Sequence, residues 1–484
     1  MMRRLIAIAA GVLLGGAMSF GAEFSLAHVF SSHMVFQRET SAPVWGWGEP
    51  GATVTVVPSW NGEEYSTTVD KDGSWKVHVS TAEAGGPYSV AVRCGSACID
   101  LEDVLLGEVW ICTGQSNMEM PIAGFGFQQV DGAREAIIGA SEKAGRIRVF
   151  DLKTPKQTEP IADVDATWQS PTGGVCARTS AIGWFFADNL SASLGVPVGI
   201  IVNAWGGSRI EPWMTREAID RAGLTEDEMA EILSVQEKAD RWPETPQLIW
   251  NGRMAPIAGF AARGFLWYQG CSNMWQRYCY DKLQTSMVRL WRDAWGRGEM
   301  PFLYVLLAPY DHGDKDGRAR PHFVQTQMRA AVTTPSAWAV CTETYGDEVT
   351  IHPSRKREVA DMLALKALSS VYGIDQGIPV DYPTPSSYDF GADGTVTVLF
   401  DNVWNNLMSI SQRRITGFEL AGQDREFHPA EAEVDWDGQT VRVWCDDVPA
   451  PVAVRYSFRN WCGSNMQTSY GIPVPPFRSD DWEY

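Results

Sequence analysis

The sequence predicts an α/β protein: a central domain on a largely parallel sheet, flanked on both sides by all-β domains. Three observations carry this. Apolar runs such as "VPVGIIVNAW", "FLWYQ" and "FLYVLLA" alternate with helical patterns through the middle of the chain, the texture of βαβ units whose sheet is buried on both faces. Before and after them, runs of period-two alternation such as "ATVTVVPSW" and "GTVTVLF" are separated by turn clusters such as "DKDG", which is the pattern of half-buried strands. The length of 484 residues also exceeds one ordinary domain of roughly 100–200 residues.

The chain opens on "MMRRLIAIAAGVLLGGAMSFGA", where Arg3 and Arg4 precede an apolar run from Leu5 and small residues ending at Ala22. This is the layout of a secretory signal, so residues 1–22 are expected to be removed and the protein exported, either secreted or periplasmic. Residues 24–102 then supply strands such as "SWKVHVS" and "YSVAVRC" for the N-terminal β domain. Residues 103–380 form the central domain, with helices over "AIGWFFADNLSASLG" and "REVADMLALKALSSVYG". Beyond "DYPTPSSYDFG" the period-two pattern returns, and residues 385–484 form a second β domain. No internal repeat is evident.

Composition excludes several classes of function. With 45% apolar and 20% charged residues the chain reads as globular, and no apolar segment has the ~20 residues that a bilayer span requires. A net charge of −19, more negative still without Arg3 and Arg4, repels nucleic acid and anionic membrane surfaces. The 7 histidines and 9 cysteines show no grouping of the kind that holds zinc, so no metal is expected. In an exported protein Cys94 with Cys98, Cys271 with Cys279, and Cys445 with Cys462 are close enough in sequence to pair, and the odd count leaves at least one free.

The stretch "EVWICTGQSNMEMP" puts a polar cluster at the end of an apolar strand. A strand through "DVLLGEVWIC" delivers Thr113 and Gly114 to a tight turn, and Ser116 falls at the C-terminal edge of the sheet, where open α/β sheets bind ligands. There its hydroxyl either acts beside free backbone N–H groups, where an oxyanion is stabilised, or merely caps the helix that follows. The flanking Gln115 and Asn117 set the motif apart from the G-x-S-x-G elbow. Three further polar loops follow apolar strands. "IVNAWGGSRIEPW" puts Gly206 and Gly207 in a turn, and "FLWYQGCSN" ends another strand with Gln269 and Asn273, whose amides donate hydrogen bonds. "VTIHPSRKREVADMLALKAL" sets His352 before a long helix, with Pro353 turning the chain. Four such loops make a cleft rather than a core.

Taken together, "GQSNMEM", "NAWGGSRIEPW", "GFLWYQGCSN" and "IHPSRKREVA" resemble the successive blocks of the sialate O-acetylesterase family, a branch of the GDSL or SGNH hydrolases. The regions "SSHMVFQRETSAPVWGWGEPGATVTV" and "GIPVPPFRSDD" resemble that family's N- and C-terminal β regions, so the resemblance spans nearly the whole mature chain. It implies an SGNH-hydrolase-like three-layer domain between sandwich- or jelly-roll-like β domains, and a serine esterase that removes acetyl groups from sugar hydroxyls. Ser116 would then attack the acetyl carbonyl, with His352 taking its proton and handing it to the departing alkoxide. Backbone N–H groups at Ser116 and in Gly206-Gly207, with the amide of Gln269 or Asn273, would hold the oxyanion. Neither a metal nor an organic cofactor is needed.

Two departures from the family pattern concern the acid. Cys271 stands where many members carry Glu, and Thr350 where many carry Asp. Asp347 is the best remaining carboxylate to orient His352, ahead of Glu343 and Glu348, while a backbone carbonyl would leave a Ser-His dyad. Cys271 is itself a rival nucleophile, because thiolates are more reactive than hydroxyls. For the substrate, Gln115 and Asn117 flank the serine and Trp205 suits stacking on a sugar ring. Arg209 either clamps the carboxylate of a sialic acid or pairs with Glu211 or Asp220. The expected partner is an O-acetylated sialic acid or glycan, with acetylxylan or another acetylated polysaccharide next, and a carbohydrate-binding protein without turnover is the reading from another class. Oligomeric state is not set by the sequence.

Overall fold

The computed structural model describes residues 23–153, 157–236, 245–313, 317–411 and 414–482. The expected signal at 1–22 lies outside these residues. Strands Ser25–Leu26, Ser41–Trp47 and Ser74–Ser80 form an antiparallel sheet. Along the last of them Trp75, Val77 and Val79 are buried while Lys76 and His78 face out, the two-residue period of a strand with one dry face.

A second antiparallel set, Thr53–Pro58, Tyr65–Thr68 and Gly85–Cys94, pairs onward with β1, Ala97–Gly114. This strand of 18 residues runs through the position where the sequence suggests a domain boundary. Its register with Gly85–Cys94 shifts around Asp103, which adopts φ 53°, and such a bulge bends and twists the strand. The first half of β1 thus belongs to the N-terminal sheet and the second half to the central one.

The central sheet adds β2 (Ile147–Asp151), β3 (Trp168–Gln169), β4 (Val198–Ala204), β5 (Gly264–Tyr268), β6 (Phe302–Val305) and β7 (Ala337–Val340). Their order is β3-β2-β4-β1-β5-β6-β7. The sheet is mixed: β3 runs antiparallel to β2, and the other neighbours are parallel. Every residue of β4, β5 and β6 is buried, which is why these strands read as unbroken apolar runs. The order reverses at β1, so its C-terminal end opens between β4 and β5, and ligands bind at such switch points.

Helices α2 (Ala181–Leu194) and α5 (Lys356–Ser370) pack together, as do α3 (Tyr280–Trp295) and α4 (Ala319–Thr333); α1 is the single turn Ser116–Glu119 that follows β1. One core joins Trp110 and Leu266 to Phe186 and Leu363. Another joins Ile111 and Phe265 to Trp291 and continues into Val35 and Trp75 of the N-terminal sheets. Antiparallel strands between Thr384 and Arg478 enclose a third core, with Val398, Tyr456 and Phe477. Glu343 ties that region down, since it is buried, pairs with Arg320 and accepts the Ser457 hydroxyl.

None of the nine cysteines is bonded to another. Cys94 lies opposite Ala97 and Cys98 opposite Arg93 across their hairpin, so those two thiols are out of register. Among the described residues no helix is long and apolar enough to cross a membrane.

Candidate active site

The serine turn is set by backbone. Gly114 adopts φ 129°, and a Cβ there would lie 2.3 Å from the Tyr268 carbonyl oxygen, so the close approach of β1 to β5 requires glycine. Gln115 extends the hold: its backbone N–H donates to Tyr268 O and its side-chain oxygen accepts the Gly270 N–H, both at 2.9 Å. Ser116 then opens α1.

His352 reaches this serine from the loop before α5. Its Nε2 lies 2.7 Å from Ser116 Oγ, and its Nδ1 lies 2.7 Å from Gln128 Oε1. The Gln128 amide donates in turn to Thr350 Oγ1 at 2.8 Å, which turns its oxygen toward the imidazole. Since that oxygen only accepts, Nδ1 carries the proton and Nε2 is left bare to accept from the Ser116 hydroxyl. Phe125 meets the ring edge-on with centroids 5.4 Å apart. Burial, and secondarily the Lys356 charge, hold the imidazole below its ordinary value of 6.5, so it stays neutral and available as a base.

The structure corrects the expectation for the acid. Asp347 accepts the backbone N–H groups of Val349 and Thr350 at 2.8 and 2.9 Å, a local turn that spends its carboxylate on its own loop. Gln128 occupies the Nδ1 side instead, and Glu343 is committed to Arg320. Cys271 is a poor rival to Ser116, because burial pushes its thiol up to about 12, and a thiol that remains protonated is a weak nucleophile.

The expected oxyanion donors are in different states. Gly206 N–H already donates to Glu119 Oε2 at 2.6 Å. The Gln269 amide donates to Ser208 O at 3.0 Å and Asn273 Oδ1 at 2.7 Å, and its oxygen accepts the Tyr280 hydroxyl. Asn273 donates to Glu211 and Gln276. These two side chains brace the cleft from within, fully buried. The Ser116 and Gly207 N–H groups have no acceptor among the described residues, and Gly207, at φ 71°, holds its amide in a turn where glycine is favoured.

The flanking residues also turn inward. Gln115 and Asn117 are 3% and 2% exposed, so they are scaffold rather than substrate contacts. Asn117 donates to Ile351 O at 3.0 Å and accepts from Lys356 Nζ at 2.6 Å, which anchors the His352 loop to the serine turn. Arg209 is nearly buried with Nε 3.7 Å from Glu211, the paired arrangement rather than a clamp. Trp205 is half-buried and its ring lies 4.0 Å beneath the Arg253 guanidinium.

A family model described as carbohydrate esterase, sialic acid-specific acetylesterase, matches residues 106–369, over half of the chain and all four loops of the cleft. The chain belongs to this family. As a member of the sialate O-acetylesterase family it is a carboxylic ester hydrolase. It is 27% identical to the Homo sapiens sialate O-acetylesterase, covering 96% of this chain and 94% of that protein, and 26% identical to the Mus musculus one with 95% of both covered. A carbohydrate acetylesterase from Xanthomonas citri has a similar solved structure, with a TM-score of 0.82 at 31% identity over 95% of this chain and 100% of that one.

Sequence reasoning about this family member misses several residues of its cleft. Gln128 sits in "FGFQQVDG", where no motif marks it. Glu119 and Lys356 lie inside the quoted blocks "GQSNMEM" and "IHPSRKREVA" but bear charges that suggest solvent. Instead, Lys356 is 2% exposed and Glu119 reaches across to the Gly206 loop.

Proposed function

We propose that this esterase removes O-acetyl groups from carbohydrate, O-acetylated sialic acids first, through an acetyl-serine intermediate. The observation that carries the reading is the 2.7 Å contact between Ser116 Oγ and His352 Nε2. Ser116 attacks the acetyl carbonyl as its proton passes to His352, and the unpartnered Ser116 and Gly207 N–H groups face the developing oxyanion. The imidazolium returns the proton to the sugar oxygen as that ester bond breaks; the same imidazole then takes a proton from the water that attacks the acetyl-serine, and passes it to Ser116 Oγ as acetate leaves. The buried Gln269 and Asn273 amides set the cleft wall.

A second reading, in which acetylxylan or another acetylated polysaccharide is the substrate, fits the likeness to the carbohydrate acetylesterase from Xanthomonas citri, whose name specifies carbohydrate without specifying sialic acid. The same proposal takes residues 103–380 as an SGNH-like catalytic unit, with 24–102 and 385–484 as β units that brace it, in an exported protein. Its support is the separate third core for the C-terminal unit, while the N-terminal unit shares β1 and a continuous core with the central sheet, and, for export, the short Arg-led apolar start of the chain.

Acetate release from O-acetylated sialic acid and from acetylxylan, by wild type and Ser116→Ala, tests the reading. Loss in the serine variant is expected, with sialic acid preferred. Release that survives Ser116→Ala would overturn the nucleophile, and no release from either substrate would overturn the reaction.

A further inference from the structure

Beside the Ser116–His352 pair lies a cavity of about 120 Å³, between the C-terminal ends of β2 and β4. Two of its walls belong to the reacting centre: Phe125 packs on the His352 ring, and Glu119 projects from the turn that Ser116 opens. A sugar whose acetyl group sits at Ser116 would therefore place part of its ring or substituents here.

The charges lining this cavity are unequal. Glu119 and Asp151 face Lys153, Arg178 and Arg253. Lys153 lies 3.1 Å from Asp151. Arg253 is nearly buried, donates to Ala204 O at 2.8 Å, and feels the charges of both Glu119 and Asp151. Arg178 is exposed and, among the described residues, has neither an ion pair nor a hydrogen bond. A chain with net charge −19 repels an anionic substrate at long range, so such a substrate needs a local cation to hold it. A guanidinium offers a carboxylate two parallel N–H donors.

We propose that Arg178 receives a carboxylate carried by the sugar and makes the esterase selective for acetylated acidic sugars over neutral ones. The inference rests on the serine-esterase reading for its turnover, and adds to it the charge of the substrate and the residue that senses it. Arg209, already against Glu211, is relieved of that role.

The test is calorimetric binding of N-acetylneuraminic acid and its methyl ester, nearly equal in size and differing in charge, to Ser116→Ala protein with and without Arg178→Ala. The acid is expected to bind about 10- to 100-fold more tightly than the ester, the range of a hydrogen bond to a charged group. Arg178→Ala should bring that ratio close to one, and Arg178→Lys should restore part of it. Equal binding of acid and ester, a ratio that survives Arg178→Ala, or no binding of either ligand would overturn the proposal. Acetate release by the Ser116-bearing protein is measured separately, so its absence would defeat the esterase reading whatever the binding ratio shows.

Discussion

His352 Nδ1 lies 2.7 Å from Gln128 Oε1, so a neutral amide occupies the place where a Ser-His-Asp triad has its carboxylate. The amide selects the tautomer that a carboxylate would select, but it adds no charge to stabilise the imidazolium. Gln128→Ala removes the acceptor and is expected to lower kcat on the order of 100-fold, within the range attributed to a positioned general base. Gln128→Glu adds the missing charge, which favours imidazolium, and should move the acid limb of the kcat/KM profile to higher pH. Steady-state kinetics across pH would show both effects; an unchanged rate and limb in both variants would reduce Gln128 to packing.

The wild-type profile has its own direction. Burial, then the Lys356 charge, depress the His352 pKa below 6.5, and only the neutral ring accepts the serine proton. Activity should therefore persist to lower pH than an ordinary imidazole allows, with kcat/KM falling only below 6.5. An acid limb above that value, measured on a soluble acetyl ester, would contradict the depressed base.

Glu119 accepts the Gly206 N–H at 2.6 Å and so ties α1 to the loop that presents Gly207. Glu119→Ala cuts the tie and loosens the loop whose Gly207 amide is proposed to meet the oxyanion. A fall in kcat of up to about 100-fold is expected, less than or equal to the loss of a whole donor, with a smaller change in KM. Glu119→Gln keeps an acceptor oxygen and should retain most of the rate. Equal losses in the two variants would mean that the charge, not the tie, is what matters.

How far these relationships can be read from sequence depends on what each one rests on. Ser116, Gly206 and His352 announce themselves because each follows an apolar run in a polar, turn-rich cluster, and the structure brings their loops to one sheet edge. Gln128 has no such signal, since its importance comes from a partner 224 residues away. Gln269 and Asn273 are legible as donors by type, yet nothing local shows that they bond to each other and to Glu211. Lys356 on a helix reads as a solvated face, and only the packing of α5 reveals that it is buried. The bulge at Asp103 hides the continuity of β1, because an alternating pattern before it and an apolar run after it look like two strands.

The buried Lys356 leads to a prediction about stability. Its Nζ donates to Asn117 Oδ1 at 2.6 Å, and Cys271 stands where many family members place a carboxylate. Burial lowers its pKa from 10.5 to about 7. Between these two values the unfolded chain binds the proton and the folded chain does not, so stability rises with pH across that window and falls as pH is lowered through it. Below about 7 the group is protonated in both states and adds no further slope. Lys356→Met carries no proton and lacks the term altogether. The unfolding free energy of wild type relative to Lys356→Met, from urea titrations at a series of pH values, should therefore decline from pH 10.5 toward 7 and then level off. A difference that stays constant over that window would show that the folded protein keeps Lys356 charged.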